Sequence, residues 1–238
     1  MIGGSDFLGN HIADELSFRN HMVMIFDVKT SVWASGTQNI VVGDMSNQDL
    51  LETEIKKTDV VHYMAGIADI AEAENNLLET MQENIIGSAK IISLCVKYSV
   101  RFMYGSIMYV YSNHGSFYRA SKQAVETLIE VFREKNGLEY TILRLGSLYG
   151  PRAQPWNCLR RIVSRILNNR KIEFGGTGKE KREYIHVTDA AKMSVDLLDN
   201  SYLQKGMTLT RIQVLTQAEL LDIIVEILGE DIPVTFNS

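Results

Sequence analysis

Tyr118 and Lys122 stand four residues apart in Tyr118-Arg119-Ala120-Ser121-Lys122, a stretch that reads as helix. Four residues is a little over one turn, so the two side chains share a face. A free phenol has a pKa of about 10 and is a poor base at neutral pH. A neighbouring ammonium favours the phenolate and lowers that pKa. The pair is therefore a candidate proton-transfer device, although the same spacing also marks ordinary solvated helix faces.

A second candidate lies at the chain start, where Gly3-Gly4-Ser5-Asp6-Phe7-Leu8-Gly9 opens a helical pattern. Glycines at three-residue intervals let a backbone turn tightly and approach a pyrophosphate, with the helix N-terminus supplying positive potential. Gly3 and Gly9 hold the outer positions, and Asp6 takes the middle one. Asp27 follows at the end of the next apolar run. A carboxylate there accepts both ribose hydroxyls of NAD and repels the 2′-phosphate of NADP. A third candidate is the basic segment 151–182, with nine Lys and Arg against Glu173 and Glu180. It reads either as a solvated helix face or, the reading favoured here, as a site for an anionic group such as phosphate.

The elements that must position these residues alternate. Met22–Asp27, Ile40–Val42, Asp59–Met64, Arg101–Gly105 and Tyr140–Leu145 are short, β-branched or aromatic, and bounded by turn residues, so they read as strands. Leu8–Arg19, Asn47–Lys57, Asn75–Tyr98, Tyr118–Asn136 and Pro155–Asn169 read as helices, with Ile85, Ala89, Ile92 and Val96 as a buried stripe. This alternation predicts an α/β fold with a doubly wound parallel sheet. Composition agrees with a globular chain: 238 residues, 45% hydrophobic, 22% charged, net charge −5. That charge gives no reason to expect nucleic-acid binding. Cys95 and Cys158 are far apart and lack metal-ligand spacing, which suits a reducing cytosol and predicts no metal site. No apolar run reaches the roughly 20 residues a membrane span requires. No leader is expected, because Met1-Ile2 runs straight into Gly3.

Seven motifs, in order, resemble those of the extended short-chain dehydrogenase/reductases, the family of NAD-dependent sugar-nucleotide epimerases and dehydratases. They are Gly3–Gly9, Gly43-Asp44-Met45, Asp59–Gly66, Asn84-Ile85-Ile86-Gly87-Ser88, Tyr118-x-x-x-Lys122, Leu143–Arg152 and Arg182–Asp189. The resemblance covers nearly the whole chain. It implies a Rossmann-type domain over 1–150, with 183–203 returning to it. Residues 151–182 and 204–238 would form a small substrate-binding part. It implies NAD as cofactor, held by Gly3, Asp6, Phe7, Leu8, Gly9, Asp27, Asp44, Met45, Ala65, Gly66, Asn84 and Lys122. Tyr118 would be the general acid/base, with Lys122 lowering its pKa and binding the nicotinamide ribose. A nucleotide sugar would be the substrate, with Ser147, Arg152 and Arg182 toward it; a guanidinium suits a bidentate phosphate contact. A homodimer built on 75–98 and 118–136 is also implied. His186 reads as a core histidine.

Three departures from the family pattern bear on activity. Asp6 replaces the middle glycine, and like charges at about 4 Å repel by roughly 1 kcal/mol in water and about 4 kcal/mol at an effective dielectric of 20. Ile107 stands where the family has a Ser or Thr that hydrogen-bonds the reacting oxygen, and loss of such a donor costs on the order of a hundredfold. Ser106 is the adjacent candidate hydroxyl, on the other side of the strand end. Only Met1-Ile2 remain of the apolar strand that precedes the loop, which predicts a truncated first strand and a gap in the sheet. These departures favour an impaired enzyme, or a non-catalytic cofactor-sensing or partner-binding protein of the same fold.

Overall fold

The computed structural model of the protein describes residues 1–229 and 232–237. They form two compact units, 1–145 with 188–209, and 146–187 with 210–238. The larger unit carries a parallel sheet. Asn39–Val42 pairs with Met24–Asp27, and Val60–Tyr63, Arg101–Ile107, Tyr140–Leu145 and Lys205–Leu209 pair in that order. Met1 and Ile2 join the two sets. Ile2 bridges Phe26 on one side and Tyr63 on the other. Its N–H donates to the His62 carbonyl at 2.9 Å and its carbonyl accepts from Met64 at 2.9 Å. Phe26 N–H donates to the Met1 carbonyl at 2.8 Å, and Gly3 N–H to the Phe26 carbonyl at 3.0 Å. The expected gap is therefore closed: two residues satisfy the facing backbone groups that an absent strand would leave unpaired.

One face of the sheet packs Tyr63, Phe102, Tyr104 and Ile142 against Leu51 and Ile55 of helix Gln48–Ile55. Ile91, Ile92 and Cys95 of Gly87–Tyr98 join them, with Val125 and Ile129 of Ser116–Asn136. Strand alternation sends Met103 and Leu143, both fully buried, the other way. Helices Phe7–Phe18 and Val187–Asp196 bury Ile12, Ala13, Ala190 and Val195 outside that cluster. Arg19 ties the two helices, reaching Asp196 at 2.6 Å.

The expected helix Asn75–Tyr98 is interrupted. Leu77–Met81 passes into a π-helical turn, Gln82–Ile86, before Gly87–Tyr98 resumes. A π turn holds one more residue than an α turn. The buried stripe accordingly shifts to Ser88, Ile91, Ile92 and Cys95, while Ile85, Ala89 and Val96 are half-buried. An unforeseen helix, Ile70–Asn75, starts at Asp69, whose carboxylate accepts from Ala71 and Glu72.

In the smaller unit Lys181–His186 pairs with Ser147–Tyr149 and Val214–Thr216, and Ile172–Gly175 pairs with Val234–Asn237. The unit boundaries differ from the expected ones for this reason. Ser147–Tyr149 belongs to the small sheet although it precedes Pro151, and Lys205–Leu209 belongs to the large one although it follows position 203. Its core is Ile166, Ile172, Leu220, Leu221, Ile224 and Ile232. Among the described residues no helix is long and apolar enough to cross a membrane, and no group of metal-binding side chains gathers.

Candidate functional site

The glycine loop is fixed by close approach. Gly3 has φ +76°, and a Cβ there would lie 2.5 Å from the Ala65 nitrogen. A Cβ on Gly9 would overlap the Gly3 carbonyl. Only glycine meets both demands. The loop thus sits tightly on the end of strand Val60–Tyr63 and opens helix Phe7–Phe18, with Asp6 at its N-cap. A cleft of about 170 Å³ is lined by Gly3, Asp6, Asp27, Met45, Ala65 and Gly66 among others. These six are among the expected cofactor residues. Phe7 and Leu8 are buried in the first helical turn behind the loop. Asp44 is exposed beside the cleft, and its carboxyl is held below the usual range by the Ser46 hydroxyl and N–H.

Asp6 makes no side-chain bond to the helix it opens. Its carboxylate is half-exposed and pairs with the Lys29 ammonium at 2.7 Å. Two further bonds fasten the loop to the same segment. Ser5 N–H donates to Asp27 Oδ2 and Ser5 Oγ donates to the Lys29 carbonyl, both at 2.9 Å.

Asn84, in the π turn, links the cleft to the tyrosine helix. Its Oδ1 accepts from Ile67 N–H at 2.8 Å. Its Nδ2 donates to the Ile67 carbonyl at 3.0 Å and to Ser121 Oγ at 2.9 Å. Ser121 Oγ in turn donates to the Tyr118 carbonyl at 2.8 Å. Both amide hydrogens are used, and Asn84 braces Ile67 against Ser121 beside Gly66 of the cleft wall.

Tyr118 and Lys122 share the buried face of Ser116–Asn136. Lys122 Nζ donates to the Gly105 carbonyl at 2.9 Å and lies 4.9 Å from the Tyr104 ring centroid and 5.8 Å from that of Tyr118. Burial lowers Lys122 to about 8, opposed by the charge of Glu126. Burial raises the Tyr118 phenol above its usual value, and Tyr109 adds to the rise. Both causes raise the phenol, and the ammonium itself is bonded to the Gly105 carbonyl.

Ser106 is also corrected. Its hydroxyl donates to Glu126 Oε1 at 2.6 Å, because alternation along Arg101–Ile107 turns adjacent side chains to opposite sides. Ile107 instead packs with Tyr118, Val110 and Ala73. Glu126 was not anticipated. It is 1% exposed, and it also accepts from Tyr111 at 3.1 Å and from Arg144 at 2.6 Å. Its position four residues beyond Lys122, on the same face, was the available signal.

Ser147, Arg152 and Arg182 all lie in the smaller unit. Ser147 and Arg182 are on neighbouring strands of its sheet. Arg182 is exposed; Arg152 is half-buried with φ +64°. His186 is half-buried and stands edge-on to Tyr149, 5.2 Å between centroids.

Comparison with known proteins gives these features a family. Residues 1–208 match the model of the NAD dependent epimerase/dehydratase family. A putative UDP-glucose 4-epimerase of Methanocaldococcus jannaschii is 28% identical over 225 residues, covering 84% of this chain and 72% of that protein. A dTDP-D-glucose 4,6-dehydratase of Dictyostelium discoideum is 25% identical over 79% of this chain, which spans 52% of that enzyme's length. The fold of the UDP-glucose 4-epimerase of Thermotoga maritima, solved with UDP-glucose, superposes with a TM-score of 0.91 at 22% identity, over 99% of this chain and 84% of that one. With a match over most of its length, the chain belongs to the NAD-dependent epimerase/dehydratase family.

Proposed function

We propose that the protein binds NAD in the cleft at the glycine loop and performs epimerase- or dehydratase-type chemistry on a nucleotide sugar. The observation that carries this reading is the hydrogen-bonded run from the cleft wall at Ile67, through Asn84 and Ser121, to the helix bearing Tyr118 and Lys122. The residues present fit the dinucleotide: the loop is closed by Gly3 and Gly9, and Asp27 lines the cleft. When bound, NAD supplies reversible oxidation of a sugar carbinol to a ketone, which acidifies the neighbouring carbon. Tyr118 exchanges the carbinol proton. As the phenolate it would take the carbinol proton while hydride leaves, and as the phenol it would return a proton in the reverse, reducing step, with the Lys122 ammonium stabilising the phenolate form. Ser147, Arg152 and Arg182 serve the nucleotide sugar, with the guanidinium groups on its phosphates.

Family membership supports NAD, and the nucleotide-sugar substrate rests on the relatives named above. The exposed apolar residues Phe117 and Val131 on one helix, and Leu78 and Ile86 on the preceding helical run, favour a homodimer; a monomeric scattering profile would refute it. A cytoplasmic location fits the two free cysteines.

The test is turnover of UDP- and dTDP-hexoses with NAD. Tyr118→Phe should lower it by about 10²- to 10⁴-fold while NAD affinity stays within about threefold, a range set by the absence of any lost charge. A second reading, cofactor sensing without catalysis, is favoured by Ile107, which sets an apolar side chain against Tyr118. NAD binding with no turnover, unrescued by Ile107→Thr, would select it. A rise in turnover for Ile107→Thr would sink it.

A further inference from the structure

The substitution of Asp6 for glycine and the presence of Lys29 are two halves of one feature. Asp6 occupies the N-cap of Phe7–Phe18, yet its side chain makes no cap bond to that helix. An N-cap carboxylate ordinarily accepts from the first-turn N–H groups. These are the same groups a bound phosphate uses. Here the carboxylate is drawn to the Lys29 ammonium at 2.7 Å. Lys29 cannot wander far, because its carbonyl accepts from Ser5 Oγ at 2.9 Å and its N–H lies 3.4 Å from Asp27 Oδ1. Its ammonium pKa is raised, first by the bond to Asp6 and further by the charges of Asp6 and Asp27.

We propose that Lys29 is an affinity-determining residue for the dinucleotide. By pairing with Asp6 it cancels the loop's added negative charge and keeps the carboxylate off the first helical turn, leaving those N–H groups for the pyrophosphate. The inference rests on the NAD reading above and deepens it. A loop with an acidic middle position is then compatible with an anionic cofactor only because of a lysine that follows Asp27 by two positions. The electrostatic part of the effect weakens with salt, since the pair is largely solvent-exposed.

A mutant cycle on the full chain tests this, with Kd for NAD and NADH read by calorimetry at low and high salt. Lys29→Met should weaken binding at least tenfold at low salt, because Asp6 is then unpaired and free to cap its own helix. Asp6→Gly should bind within threefold of the parent or more tightly. The double variant should return to within threefold of the parent, since Lys29 has nothing left to neutralise. A Lys29→Met loss below threefold overturns the inference. So does a loss that persists undiminished in the double variant, which would make Lys29 a direct contact. If none of the four chains binds NAD, the cofactor reading itself falls, and this inference with it.

Discussion

Lys29, beside the glycine loop, and Lys122, on the tyrosine helix, belong to the same unit but are governed by opposite physics. Lys29 is 59% exposed, faces a carboxylate, and has its pKa raised by it. Lys122 is 7% exposed, faces a carbonyl and two rings, and is lowered to about 8 by burial. The loop is thus a wet region where a charge change is answered by a counter-charge. The helix is a dry one, where polar groups persist only by being bonded to one another. The family's two departed positions follow the same division. Asp6 meets an exposed cation at the surface, whereas Ile107 is filled by packing against Tyr118, Val110 and Ala73.

The strongest way to break this contrast is at Glu126. Glu126→Ala leaves Arg144 and Ser106 facing a cavity without their acceptor. Removing one partner of a buried, hydrogen-bonded charge costs about 3–5 kcal/mol, and Arg144 keeps some solvent access, so the lower end is expected. Chemical denaturation reads it. A loss under about 1 kcal/mol, the range of surface pairs, would mean the tyrosine helix is no drier than the loop.

The next effect is alkaline and concerns Lys122 alone. Its folded pKa of about 8 lies below its unfolded value of 10.5. Below pH 8 both states hold the proton and the burial cost is constant. Between 8 and 10.5 the unfolded state holds more protons, so stability rises with pH. From pH 8 to 9.5 the gain is about 1.5 kcal/mol, since the slope starts at half of 1.36 kcal/mol per unit at the folded pKa and approaches it above. It appears as a difference between the parent and Lys122→Met, which lacks the titrating group. Glu126→Gln, by removing a charge that raises Lys122, should move the onset to lower pH. A flat difference curve would show that Lys122 is better solvated than its 7% exposure indicates.

The sequence made the framework legible because its signals are local. A helix expected over Tyr118–Asn136 is found at Ser116–Asn136, and the apolar run Tyr140–Leu145 is a strand as expected. What it hid depends on partners distant in the chain. Ser147–Tyr149 and Lys205–Leu209 are short strands whose owner is decided by pairing. The π turn at Gln82–Ile86 carries Asn84, which reaches Ile67 and Ser121 far along the chain, contacts that no spacing rule encodes. At the site, Tyr118, Lys122 and the glycine loop were legible as motifs. Their protonation was not, because it depends on burial, and burial is a property of the assembled core. Likewise Asp6 read as a defect until Lys29, twenty-three positions on, was seen against it.

The smallest effect sharpens the comparison most. Lys29→Ala breaks an ion pair, as Glu126→Ala does, but between side chains that are each more than half exposed. Exposed pairs contribute about 0–1 kcal/mol, because water solvates the freed partners and holding two long side chains together costs entropy. Unfolding stability should therefore fall by no more than about 0.5 kcal/mol, and less at high salt. Ser5 would still hold the loop through Asp27 and the Lys29 carbonyl. A melt shifted by several degrees, equivalent to about 1 kcal/mol or more in a domain of this size, would mean that the pair organises the loop itself. The wet and dry regions would then differ in degree, and the pair's role would be structural before it is electrostatic.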